Sequence, residues 1–274
     1  MLKFILTFLC SLFLVSQSQA IVIKKGASLD NSKNWGQHFP NVCRVWMEYE
    51  EGGGQSGTGV LISPTAVLTA AHVVRSGIKL GRLPLVNFAS NGKDFKTSAP
   101  FRFIDTIIPH PDHQMNKEYY CEGVDLAILK FQEPIDLQPV KLYQNKVEDN
   151  TQGYIVGYGQ SGTSDGAVKI EVGTRHMGTT RISKNQGQYL TYDFRILDFE
   201  PGQPPKTFEI ADDMDPLQSI PVLSDSGGPF LKGTVGNLSV AGIFHGGEVF
   251  DILGVAQCKW IPIHSHIKWI EENM

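Results

Sequence analysis

Cysteine is scarce: the 274-residue chain has four, and Cys10 lies in an apolar leader. The other three, Cys43, Cys121 and Cys258, form no C-x-x-C pair and can make at most one bridge inside a monomer. A disulfide-stapled scaffold and a cysteine metal centre are therefore excluded, and these thiols read as small buried apolar residues. Positive charge is also short. Lys and Arg total 24 against 28 Asp and Glu, a formal net charge of −4, and no basic block occurs. That balance argues against nucleic acid or an anionic membrane surface as partner. Long apolar runs are missing as well: the stretch from Phe4 to Val15 falls short of the ~20 residues that span a bilayer, and no later stretch qualifies.

The short run at the amino end has its own reading. MLKFILTFLCSLFLVSQSQA combines one Lys, an apolar segment, and Ser18 and Ala20 at the −3 and −1 positions of a cleavage site. It reads as a secretory signal peptide over residues 1–20, so the mature chain would be secreted or periplasmic and begin at Ile21. A lipid anchor on Cys10 does not fit, because Leu9 stands where a small residue is needed.

The body of the chain contains short apolar runs separated by Gly, Pro, Asn and Asp clusters. Val42–Tyr49, Gly59–Ile62, Val67–Val74, Val124–Phe131, Tyr154–Val156, Tyr189–Phe199 and Val240–Phe244 read as strands. In QYLTYDFRILDF, Leu190, Tyr192, Phe194 and Ile196 alternate with mostly polar residues, as a half-buried strand does. Helical periodicity is convincing only at the end, where Ile263, Ile267 and Ile270 share a face. This is an all-β rhythm, with a boundary between two β halves near Gln144 to Gln152.

Chemistry concentrates in three places. LSDSGGPF carries Ser226 on a Gly-rich turn, but a serine hydroxyl is inert at neutral pH until an imidazole can take its proton. LTAAHVV presents His72 at the end of an apolar strand among small residues. VDLAILKF places Asp125 in an apolar run, where an unpaired carboxylate would cost several kcal/mol, so a hydrogen-bonding partner such as the His72 ring is expected. Each has an ordinary reading alone: a surface turn, a core histidine, the end of a turn.

Together, in the order His72, Asp125, Ser226, these stretches resemble the trypsin-like serine proteases. Further matches are GYIVGYG, VAGIF and the terminal helix containing Trp269-Ile270, so the resemblance runs from Ile21 to the end. It implies two six-stranded antiparallel β-barrels packed together with a short C-terminal helix. The first barrel would span about 35–145, the second about 150–262, and the helix about 263–273. It further implies a serine endopeptidase in which Ser226 attacks, His72 shuttles the proton and Asp125 fixes the histidine, with the amides of Ser224 and Ser226 as oxyanion hole. An α/β-hydrolase would need a GxSxG elbow and another order of residues, and has neither here. Protein or peptide substrates and a protein inhibitor would be the partners of a monomer with no cofactor. No metal is expected either, since the stretch after His72 lacks clustered carboxylates and the short HPDH reads as a solvated turn.

Departures from the family's pattern bear on activity and specificity. Ser224 stands where relatives have Gly, so its side chain could turn the oxyanion-hole amide away. Ile220, six residues before the nucleophile, offers no charge at the base of the primary pocket. His245 and Gly247 are assigned to substrate binding in Phe244-His245-Gly246-Gly247, where relatives carry Val-Ser-Trp-Gly. An apolar or small P1 residue is then expected. The resemblance also implies an activation latch, in which the ammonium of a chain starting at Ile21 pairs with Asp225. The alternative function is a non-catalytic serine-protease homologue that binds a protein partner, for which Ser224 and His245 are the hints.

Overall fold

The computed structural model describes residues 21–48, 54–90, 100–115, 121–159, 161–166, 173–197, 207–210, 215, 217–221, 224–249 and 255–274. Residues 1–20, read above as a signal peptide, lie outside them, as does the side chain of Cys121. Two curled antiparallel sheets make up most of the molecule, with few helices: the all-β architecture expected.

The first sheet runs in the order Phe101–Phe103, Leu85–Asn87, Val42–Glu48, Gly54–Ser63, Ala66–Thr69, Ala127–Lys130 and Thr106–Pro109. Ala66–Thr69 is buried along its whole length, which is why that segment reads as a continuous apolar run and not as an alternation. The second sheet follows the path His176–Arg181, Gln152–Gly157, Pro229–Thr234, Asn237–Val249, Val255–Pro262, Leu190–Ile196 and Lys184–Asn185. Lys141–Leu142 and Phe208–Glu209 pair onto its strands from the side. Leu190, Tyr192 and Ile196 point inward and Asp193 and Arg195 outward, the alternation their sequence carries.

A third, small sheet sets Val22–Ile23 between Gly162–Thr163 and Ser219–Ile220. Ile21, Val22 and Ile23 are all buried, so this segment is part of the second core.

Helices differ from the expectation in number. The terminal one is present as a short 3-10 turn, Ile263–Ser265, followed by Ile267–Asn273 with Ile270 buried. Two more occur, at Leu29–Gly36 and Arg75–Leu80. The first is capped by Ser28, whose hydroxyl accepts from the Asn31 amide, and the second stops at Gly81 in the left-handed conformation (φ 69°).

One guanidinium spans the junction of the sheets. Arg175, 3% exposed, donates to the carbonyls of Gly36, Val42 and Phe88 and to the Tyr158 hydroxyl. Its own amide donates to Ser90 O.

Candidate active site

His72 comes at the end of the strand Ala66–Thr69, but not on it. The chain tightens after Thr69 into a 3-10 turn, Ala71–Val74, and His72 is its second residue. Small residues permit this: Ala70 and Ala71 are fully buried under the turn, while the His72 side chain keeps partial exposure, at 19%. Asp125 lies just before Ala127–Lys130, with no exposed surface. Its Oδ1 accepts the backbone amide of His72 at 2.8 Å, and its Oδ2 lies 2.6 Å from Nδ1 of the same residue. A carboxylate only accepts, so Nδ1 carries the proton and the lone pair of His72 faces away at Nε2.

A second imidazole meets the same oxygen. His245 Nδ1 is 2.7 Å from Asp125 Oδ2, and its side chain is 22% exposed. Burial alone would raise the Asp125 carboxyl; the positive charge that His72 carries when protonated and the hydrogen bonds from both histidines hold it well below the usual carboxylate range. The three groups present ligand atoms within 4.8 Å of one another, as a metal site would. The observed 2.6 and 2.7 Å separations are hydrogen-bond lengths, whereas ligands held tetrahedrally at ~2.1 Å sit roughly 3.4 Å apart.

The turn with Ser226 is pressed against the histidine-bearing sheet. Thr58 N donates to Ser226 O at 2.8 Å, and a Cβ on Gly227 would collide with Thr69 Oγ1 and the Thr58 carbonyl. Gly227 also has φ 82°, so glycine is needed there twice over. The amides of Gly227 and Gly228 are engaged by the carbonyls of Phe244 and Asp225. Ser224 has φ 70°: it keeps the left-handed conformation of a glycine despite its side chain. Among the described residues no hydrogen bond joins the Ser226 hydroxyl to the His72 ring.

Asp225 is buried at 2% exposure and accepts the Gly159 amide at 3.3 Å. Ile21 and Asp225 line one small cavity, closed on other sides by Phe244 and Trp260. Ile220 has no exposed surface; it pairs with Val22 and packs in the second core. Gly247 is exposed and pairs with Cys258. The Asp215 carboxylate accepts the Leu217 amide at 2.8 Å.

Two readings change. His110 of HPDH is not a solvated turn residue: at 7% exposure its ring packs on Trp269 and His266 of the terminal segment. His245, assigned above to substrate binding, gives Asp125 a second hydrogen bond. Its only signal was the histidine standing where relatives carry Ser.

A family model described as Trypsin matches residues 36–253. The chain belongs to the trypsin family. No curated protein sequence matches it. Among solved structures, GrC superposes with a TM-score of 0.59 at 21% identity, over 86% of this chain and 95% of that one. HL collagenase does so with a TM-score of 0.57 at 18% identity, over 86% and 93%. Both likenesses are of fold. Membership in the trypsin family and this fold agree with the two curled sheets, and the matched span takes in His72, Asp125 and Ser226.

Proposed function

We propose that this trypsin-family chain is a serine endopeptidase, exported, with Ser226 as nucleophile, His72 as general base and Asp125 as orienting acid. The supporting observation is the paired contact of Asp125 with His72, through both the backbone amide and Nδ1. That contact leaves Nε2 of a partly exposed imidazole as the acceptor, on the sheet against which the Ser226 turn is packed. In the reaction Nε2 takes the Ser226 proton as Oγ adds to the scissile carbonyl. The amides of Ser224 and Ser226 would hold the oxyanion, an interaction worth about 3 kcal/mol per donor in comparable enzymes. Collapse expels the amine with the proton from His72, and water repeats the sequence on the acyl-enzyme.

Substrates would be proteins or peptides with a small or apolar P1 side chain. Ile220 carries no charge and Asp215 is committed to the Leu217 amide, so a Lys or Arg would meet no carboxylate from either. Activation would come from the amino terminus: a chain starting at Ile21 would put its ammonium beside the cavity that Asp225 also lines. A buried ammonium and carboxylate each cost several kcal/mol unless they meet.

The second reading, a non-catalytic member that binds protein, has in its favour the missing hydrogen bond between Ser226 and His72. Catalytic hydrogen bonds are often long in the absence of substrate, so the peptidase reading is preferred. Labelling with a fluorophosphonate decides: covalent modification at Ser226 is expected, and a folded chain that does not react refutes the peptidase.

A further inference from the structure

Asp125 is held from two sides of the molecule. His72 belongs to the first sheet's segment, but His245 is on Asn237–Val249 of the second. The residue before it, Phe244, exchanges backbone hydrogen bonds with the nucleophile turn: Gly227 N donates to Phe244 O and Phe244 N to Gly228 O, both at 2.8 Å. A continuous chain of contacts therefore runs from the Ser226 turn through Phe244 and His245 to Asp125, and on to His72. His245 is itself kept in place. Its ring stacks on Tyr189, with centroids 5.5 Å apart and planes at 27°. Lys259 lies over the Tyr189 ring at 5.2 Å and is paired with Glu248. The His72 and His245 rings meet edge to face at 6.2 Å. Burial holds the nearby His113 below its ordinary value, with Asp125 opposing that shift and His72 adding to it.

We propose that His245 is a positioning residue: its Nδ1–H ties Asp125 to the backbone rung that holds the Ser226 turn, and so keeps the His72 imidazole in register with the nucleophile. This rests on the peptidase reading above. A packing role would depend on the ring; a positioning role depends on the N–H. The two separate by substitution, because Phe keeps the ring stacked on Tyr189 and loses the donor, whereas the amide of Asn can place an N–H where Nδ1–H stood.

The test measures kcat and KM on a peptide substrate, the rate of fluorophosphonate labelling, and the melting temperature for wild type, His245→Phe and His245→Asn. His245→Phe should lose about 10–100-fold in kcat and in labelling rate with KM nearly unchanged, as loss of a group that orients a catalytic residue does. Its acid limb of kcat/KM should move to higher pH, because an Asp125 relieved of one donor attracts the proton on His72 more strongly. His245→Asn should recover to within roughly fivefold of wild type. A His245→Phe enzyme with wild-type kcat, or a His245→Asn enzyme as impaired as His245→Phe, overturns the proposal. If His245→Phe does not fold, His245→Leu against His245→Asn makes the same comparison. A wild-type chain that never labels sinks the peptidase reading instead. The histidine then reports by NMR: the His72 Nδ1–H resonance should shift in His245→Phe and not in His245→Asn, and no shift in His245→Phe overturns the positioning role.

Discussion

The carboxylate of Asp225 occupies the place where a side chain on Gly157 would have to lie: a Cβ built there would fall onto Oδ1. Gly157 and Gly159 of GYIVGYG thus form a cradle around an acid whose neighbour is Ser226. Gly157→Ala should move Asp225 and with it the turn. A loss of about 1–3 kcal/mol in urea unfolding, typical of overpacking a rigid site, and a fall in labelling rate are expected. A variant as stable and reactive as wild type would show that Asp225 has room to yield.

Ser226→Ala separates chemistry from folding. The hydroxyl makes no hydrogen bond to His72 among the described residues, so its removal should change stability by less than about 0.5 kcal/mol while abolishing peptide hydrolysis. Residual hydrolysis at wild-type rate would place the nucleophile elsewhere.

Ser224→Gly tests the left-handed residue. A non-glycine at φ 70° carries roughly 1–2 kcal/mol of strain, and a glycine returns about 0.4–1 kcal/mol of this through the freer unfolded chain. The variant should be more stable by about 0.5–1 kcal/mol. Since Ser224 already has the backbone conformation a glycine would take, kcat should change by less than about threefold. A rise of tenfold or more would mean that the serine amide is aimed away from the oxyanion.

Ile220→Asp is the substitution that would be tried to create a tryptic pocket, and it should fail. Ile220 is sealed between Val22 and the second core, where an ionised carboxylate without a partner costs several kcal/mol. Extensive destabilisation with no gain in cleavage after Lys or Arg is expected; a stable enzyme that cuts after basic residues would contradict the placement of Ile220.

Acid should loosen the terminal segment. Burial, and then the neighbouring His110 and His264, lower His266 from its ordinary 6.5 to about 4. Between those values the unfolded chain binds a proton that the native chain refuses, so stability present above pH 6.5 is lost as pH falls toward 4. His266→Gln should flatten the melting temperature profile across that window.

What the sequence disclosed follows physical rules that act locally. Apolar runs such as Ala66–Thr69 announced buried strands, and the order of His72, Asp125 and Ser226 carried the candidate site. Leu29–Gly36 stayed hidden because LDNSKNWG has no apolar stripe; it is held by tertiary contacts, with Ser32 Oγ donating to Met177 O at 2.7 Å and Gly36 packed on the Arg175 backbone. The bond between His245 and Asp125 joins residues 120 positions apart, and no periodicity in either segment points to the other. His72 was expected on a strand because a 3-10 turn of Ala, His and Val has the same composition as a strand end.

Arg175 has a consequence for how the molecule comes apart. Arg175 directly precedes the second-sheet strand His176–Arg181, and its charge is shielded from water by carbonyls of Val42 and Phe88, in and beside the first sheet, and of Gly36, at the end of the helix Leu29–Gly36. Neither half can separate without handing a bare cation or a set of stripped carbonyls to its neighbour, so opening one half penalises the other. The two lobes that carry His72 and Ser226 should melt as one unit, and Arg175→Met should split a single calorimetric transition into two.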